Sequence, residues 1–345
     1  MNTKAIARKP AKVICLGEIL FDRLADDLGK PVSEVSSWTS YPGGAPANVA
    51  CALVKLGTTS AFIGCVGKDD KGRELVELLR SIGVLISGVQ YSDRFPTREV
   101  YVTRSLDGDR TFAGFGERPR VDARRKGTRE LGDLKPDQFA DASLQADYLP
   151  PELFLEAEFL VIGTLELAYP QSRAAVFRAL ELAEEYHLKI ILDVNWRPMF
   201  WLDEKEALPL IKELWQRVDF IKLAAEEAQW LFDTTDAGAI THRLNSVEGV
   251  LVSDGGKKVS YCLSENEGTV NPIKVAAKDT TGAGDAFLAG FIHQLSHYGN
   301  QKLQDPEIAK SIVEYACAVG GLTTTKSGAI AAQPTAKEVE AFMNK

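Results

Sequence analysis

The chain has 345 residues, 45% of them hydrophobic and 26% charged, with a formal net charge of −8. That balance describes a globular protein with room for one large α/β domain or two average ones. The acidic excess excludes a general nucleic-acid binder, which needs surplus Lys and Arg to hold phosphates. No stretch approaches the roughly 20 apolar residues of a membrane helix.

The opening MNTKAIARKP is polar and basic with no apolar core, so no secretory signal is expected and the expected location is cytoplasmic. KVICLGEIL (12–20) reads as a buried strand ending in a glycine turn. A helix is expected over 45–56, closing on Gly57, then a strand over 60–67 and an amphipathic helix over 72–84 stopped at Gly83. Residues 87–115 alternate apolar and polar around Asp107-Gly108-Asp109, a hairpin signal read as a small β element inserted into the body as a lid. The segment 117–136 is rich in arginine and lysine and reads as a solvated insertion loop. Strands over 159–163, 189–195, 219–224 and 249–256 then alternate with helices over 171–187 and 204–217. This order implies an α/β fold: an open, mostly parallel Rossmann-like sheet with helices on both faces, plus a small β-sheet lid. Cys15, Cys51, Cys65, Cys262 and Cys317 form no Cys-x-x-Cys pair and are expected to be buried free thiols.

Three stretches carry chemistry. In DTTGAGDAF (279–287), Gly282, Ala283 and Gly284 let the backbone approach a ligand at a helix start, where free N–H groups hold anions. Asp285 stands at the same place. By itself it reads equally as a helix-start carboxylate or as a base taking a proton from a hydroxyl that attacks a phosphoryl group. In YPGGAPANVACAL (41–53), Gly43-Gly44 permits close approach and Asn48 lies in the first helical turn. In GEILFD (17–22), Glu18 and Asp22 follow a buried strand, where carboxylates either face a ligand crevice or sit on a surface turn. His293 and His297 have the spacing of a metal pair but lack a third ligand and read as a surface or packing pair. Trp196, Trp201, Trp215 and Trp230 form no stacking platform by spacing.

Together these stretches resemble the ribokinase-like (PfkB) family of carbohydrate kinases, over about 12–339 and closest in wording to fructokinases. The resemblance is carried by Gly43-Gly44-x-x-x-Asn48-x-Ala50 and by Asp279 to Phe287 with Gly290 beyond. It implies a β-clasp lid, contributed mainly by about 22–42 and 87–116, and transfer of the ATP γ-phosphate to a sugar hydroxyl. By position it implies Asp285 as catalytic base and Gly282, Ala283 and Gly284 as anion hole. Asp22, Gly43, Gly44 and Asn48 would hold the sugar. Arg98 and Glu99 in the lid read either as substrate selectors or as lid-surface charges. Asn195, Arg197, Glu227, Ser253, Gly255 and Cys317 would serve ATP, and Glu227 would act on Mg2+ indirectly. Asp279 and Thr281 match positions that bind a monovalent cation such as K+ in some members. A homodimer through the lid is implied, with no nucleic-acid or membrane partner. Departures from the family wording are Ala224, Lys258 and Cys317, and the lid segment 111–116 has no arginine near Gly116. Fructose is the expected substrate. The alternatives are another ketose, a sugar phosphate, a keto-sugar acid, or a non-catalytic scaffold.

Overall fold

The computed structural model describes residues 9–106, 110–116 and 134–344. The Asp107-Gly108-Asp109 turn and most of the charged insertion lie outside them. The described strands are β1 (Val13–Leu16), β2 (Leu20–Leu28), β3 (Trp38–Gly43), β4 (Ser60–Gly67), β5 (Leu85–Ser92), β6 (Glu99–Arg104) and β7 (Arg110–Phe115). They continue with β8 (Phe159–Ile162), β9 (Lys189–Asp193), β10 (Phe220–Ala224), β11 (Gly249–Ser253), β12 (Val259–Leu263) and β13 (Asn266–Val270). Nine strands form one sheet in the order β13-β12-β11-β10-β9-β8-β1-β4-β5, parallel except at β12 and β13. A second sheet, β3-β2-β6-β7, joins antiparallel pairs at β2–β3 and β6–β7 to a parallel pair at β2–β6.

Residues 87–92, which alternation alone assigns to the lid, belong instead to the large sheet as the edge strand β5. Alternation marks any strand with one exposed face, and an edge strand has one too.

Helices α1 (Ala45–Leu56), α2 (Asp70–Ile82), α3 (Pro170–Glu185) and α4 (Ala207–Leu214) follow the expected order, while α5 (Ala225–Phe232) and α6 (Ala237–Leu244) stand between β10 and β11, where no helix is expected. They are joined by α7 (Ala283–Tyr298), α8 (Pro306–Thr323), α9 (Ala329–Ala332) and α10 (Ala336–Met343). Period-two alternation in β1 divides the core between the faces of the sheet. Ile14 and Leu16 pack with α3 to α6, whereas Val13 and Cys15 pack with α1, α2, α7 and α8. All five cysteines are buried and free, as expected. Gly290 explains one signature glycine: a Cβ there would lie 2.9 Å from Val319 Cγ2 and 3.0 Å from Ala316 Cα. Its absence lets α7 and α8 cross closely, and that crossing helps fix where α7 begins.

The chain passes from body to lid at Glu18 and returns at Gly44, so the seam between the sheets is built from these crossings. It is polar. Arg98 is fully buried there, its Nε donating to Asp141 Oδ2 at 2.7 Å and its Nη2 to Pro136 O at 2.8 Å. The rings of Phe115, Phe139, Tyr169 and Phe200 surround the guanidinium with centroids 4.6 to 5.5 Å away. This corrects the expectation that Arg98 selects substrate: its charge is consumed in a buried ion pair and an aromatic cage. Glu99 is buried as well, paired with Arg23 and Lys71.

Two further carboxyls lie in this seam. Glu166 is 1% exposed and neither oxygen has a hydrogen-bond partner among the described residues. Burial pushes its pKa well above the ordinary carboxylate value, and repulsion from Glu18 and Asp141 adds to the shift. Burial likewise raises Glu18 to about 7, against hydrogen bonds from backbone N–H groups that favour its ionised form. A carboxyl with a raised folded pKa stabilises the fold below its unfolded value, and that contribution is lost as pH rises through the folded value. Stability should therefore fall as pH rises from the ordinary carboxylate range through about 7, where Glu18 ionises, with Glu166 adding to the fall over the same range. Glu166→Gln, which cannot ionise, should show a smaller drop in melting temperature across that range. An identical drop in both proteins would refute the assignment.

Candidate active site

Two cavities flank the N-terminus of α7. One, of about 280 Å³, is lined by Glu18, Asp22, Gly44, Asn48, Asn195, Arg197, Thr281, Gly282 and Asp285, with Leu20, Val100, Val102, Phe112, Leu165, Met199 and Phe200 as its apolar wall. The other, of about 490 Å³, is lined by Ser253, Gly255, Val259, Ile273, Ala283, Gly284, Phe287 and Cys317 among others. The sequence-expected residues thus separate into two groups. Asp22, Gly44, Asn48, Asn195 and Arg197 gather with Asp285 on one side, and Ser253, Gly255 and Cys317 on the other. Gly282 faces the first cavity, while Ala283 and Gly284 face the second.

Local sequence explains each placement. Gly282 is the N-cap of α7 at φ 73°, a left-handed conformation suited to glycine, and it offers no side-chain acceptor to the first turn. Asp285 occupies the third helical position, where the helix dipole favours a carboxylate. Its Oδ2 accepts a 2.7 Å hydrogen bond from Asn48 Nδ2, which stands in the first turn of α1. Asn48 therefore holds Asp285, and its buried Oδ1 has no hydrogen-bond partner among the described residues. Burial raises the Asp285 pKa, opposed by the Asn48 bond and by the charges of Lys222 and Arg197.

Gly43 and Gly44 make room rather than contact. A Cβ on Gly43 would lie 2.6 Å from Asp22 Oδ2, and one on Gly44 would lie 2.5 Å from Glu18 O. Gly44 has φ 106°, so a side chain there would be strained as well as crowded. Glu18 Oε1 in turn accepts from the Ala45 N–H at 2.7 Å, fixing the start of α1.

Asn195 adopts φ 40°, tolerated by asparagine, and turns the chain out of β9 toward α5. Glu227 anchors that turn: Oε1 accepts from Trp196 N at 2.6 Å and Oε2 from Ala224 N at 2.7 Å. The second bond is half of a capping box. Alanine at 224 has no side-chain acceptor to return it. Trp196 stacks on Trp230 with centroids 4.8 Å apart and lies 5.5 Å from Trp201. This corrects the reading that the tryptophans form no stack. They come from separate elements, so spacing along the chain could not reveal it. The stack buttresses the turn that carries Arg197.

Asp279 and Thr281 are adjacent, with Thr281 Oγ1 donating to Asp279 Oδ1 at 2.6 Å, and Asp279 Oδ2 accepting from Gly328 N at 3.0 Å. Cys317 contributes an inert wall, since burial pushes its thiol up to about 12. His293 lies away from both cavities, sharing a 2.8 Å hydrogen bond with Thr58 and packing near Tyr315.

Sequence reasoning passed over Lys222, whose Nζ lies 3.0 Å from both carboxylate oxygens of Asp193 beneath α7. A lysine within the otherwise apolar run FIKLA was the available signal, because lysine is rarely buried without a partner. It also passed over the apolar wall, whose members come from five separated segments.

The family description "pfkB family carbohydrate kinase" matches residues 10–336. Fructokinase-2 of Solanum lycopersicum is 32% identical over 329 residues, 94% of each chain. A fructokinase from Xylella fastidiosa with bound ATP superposes at a TM-score of 0.82, with 26% identity over 96% of this chain and 98% of that one. A fructokinase from Vibrio cholerae O395 in a form binding fructose, ADP and calcium ion gives 0.79 at 27% identity, over 96% and 98% of the two chains. A double mutant of the Vibrio cholerae enzyme is described in a potassium-bound form. The chain belongs to the pfkB family of carbohydrate kinases and is a phosphotransferase that uses an alcohol group as acceptor.

Proposed function

We propose that this protein is an ATP- and Mg2+-dependent fructokinase, converting D-fructose and ATP to fructose 6-phosphate and ADP. The observation that carries the proposal is the placement of the α7 N-terminus between two cavities, with Asp285 facing one and Ala283-Gly284 the other. A sugar in the smaller cavity would present a hydroxyl to Asp285, and a nucleotide in the larger one would bring its γ-phosphate to the first-turn N–H groups. The hydroxyl oxygen forms the new bond to phosphorus as the bond to the β-phosphate oxygen breaks. Asp285 takes the hydroxyl proton and ADP leaves. First-turn N–H groups from Gly282 to Gly284 hold the negative charge on the transferring group.

The charge of the smaller cavity supports a neutral sugar over a sugar phosphate or sugar acid. Its described lining carries Glu18, Asp22 and Asp285 against a single cation, Arg197. An anionic substrate would meet repulsion there, and Arg98, the other candidate cation, is sealed in the seam. Leu20, Val102, Phe112 and Met199 suit the C–H face of a sugar ring, while Asp22 and Asn48 offer hydrogen bonds to its hydroxyls.

Mg2+ is a hard cation that commonly rides on nucleotide phosphates with few protein ligands. Glu227, whose oxygens brace the Asn195–Arg197 turn, would act on it only through that turn. Asp279 and Thr281 provide oxygen donors of the kind K+ takes. Their link to Gly328 ties such a site to the loop beside α7. Among the described residues no helix is long and apolar enough to cross a membrane. The lid sheet offers β3 and β7 as edges for a second copy. We propose a homodimer formed there, and a monomeric mass in solution would remove that inference.

A coupled assay of ADP release over a panel of ketoses, aldoses, sugar phosphates and sugar acids tests the main reading, with fructose expected to give the highest kcat/KM. Asp285→Asn should lower kcat by about 10²–10⁴-fold with ATP binding retained. Loss of ATP binding instead would make Asp285 a structural cap. Asp22→Ala should raise the fructose KM without weakening ATP, and an unchanged KM would remove it from the sugar site. Replacing K+ by a bulky organic cation should depress kcat, and an indifferent enzyme would show that Asp279 and Thr281 serve only the loop.

A further inference from the structure

The pair Lys222–Asp193 lies outside both cavities yet adjoins the catalytic turn. Lys222 on β10 and Asp193 on β9 are register partners in neighbouring parallel strands, so their side chains emerge side by side on one face of the sheet. Both are almost wholly buried, and Lys222 Nζ is equidistant, at 3.0 Å, from the two oxygens of Asp193. A Cβ placed on Gly284 would lie 3.2 Å from that Nζ. Gly284 does not need glycine for its backbone angles, since its φ is not among the positive ones. What it provides is space, and the group that fills the space is an ammonium.

We infer that Lys222, aligned by Asp193 behind Gly284, is a positioning residue that keeps Asp285 ionised and supplies positive potential under the anion hole. This rests on the kinase reading above and assigns the electrostatic support of the same site. The groups bearing on Asp285 come from every side. Lys222 lies on β10, Arg197 beyond β9, Asp193 on β9, Glu18 before β2, and the neutral Asn48 on α1. The two cations oppose the burial that favours a protonated Asp285, and repulsion between Asp285 and the two acids raises the pKa of Asp193 and of Glu18. Burial alone would push the lysine toward its neutral form, but Asp193, Glu227 and Asp285 outweigh it and its pKa is raised, so it stays charged. Asp193 accounts for two of the three N–H donors of the ammonium. A buried lysine offers a compact, fixed charge to an adjoining site.

The decisive measurement is the pH profile of kcat, at saturating fructose and ATP, for wild type, Lys222→Met and Asp193→Asn. Removing the ammonium should move the acid limb to higher pH, so that kcat at about pH 6 relative to about pH 8 falls by about tenfold. Removing the Asp193 charge should move the limb the other way, because Lys222 remains and one repelling acid is gone. A purely structural role would lower kcat alike at every pH. An unmoved limb, or one moved in the same direction by both substitutions, overturns the inference. Should Lys222→Met fail to fold, the near-isosteric Asp193→Asn decides it alone: a limb at lower pH supports the assignment, and any other result overturns it. A wild-type protein that phosphorylates no sugar would overturn the kinase reading and this one with it.

Discussion

The hydrogen bond from Asn48 to Asp285, 2.7 Å long, joins the first turns of two helices 237 residues apart in sequence. It is the contact through which the N-terminal and C-terminal signatures become one site. Each helix start is set independently: α1 by the Glu18 carboxyl on the Ala45 N–H, and α7 by the left-handed Gly282 and the close crossing of α8 at Gly290. A carboxylate between two such helix starts is partly desolvated, so it becomes a better proton acceptor. The same helix dipole and the nearby cations keep it from becoming neutral. The site works as a compromise between these opposing effects. That explains why acids and bases surround Asp285 rather than charges of one sign.

Much of this was legible in the chain. Short apolar runs such as SAFIGCVG and FLVIG mark parallel strands because both faces of the sheet are covered, and Gly57 and Gly83 end helices in left-handed turns as their positions suggest. Asp22, Asn48 and Asp285 gather in one cavity and Ser253, Gly255 and Cys317 in the other, but Asn195 and Arg197, which the family wording gives to ATP, line the same cavity as Asp22. The lid boundary was less legible. β5 alternates as a lid strand would, and only its pairing with β4 shows where it belongs.

Side chains whose partners arrive from distant segments were not legible at all. Arg98 looks like a surface selector because arginine is usually exposed. Its partner Asp141 and its four aromatic neighbours come from segments that nothing local connects to it. The stack of Trp196 on Trp230 depends on the Asn195 turn, a positive-φ residue that no periodicity announces. Glu166, in the run GTLELAY, resembles a short polar interruption, and only its place beneath Glu18 makes it a buried acid.

The glycines at 282 and 284 are restricted by different neighbours, and this difference bears on how the site is built. Gly282 is held by its backbone angle and by Ala329, whose Cβ would lie 2.7 Å from a Cβ there, whereas at Gly284 a Cβ would crowd only the Lys222 Nζ, at 3.2 Å. A loop made only to present N–H groups would need the first restriction. The second implies something lying directly behind the helix start, and in this fold that is the Lys222 ammonium, gripped by Asp193 across neighbouring strands. The positive end of α7 is thus backed by a full charge fixed to the sheet rather than to a loop. Strand pairing holds it to the body of the fold, so its place does not depend on how the lid sits.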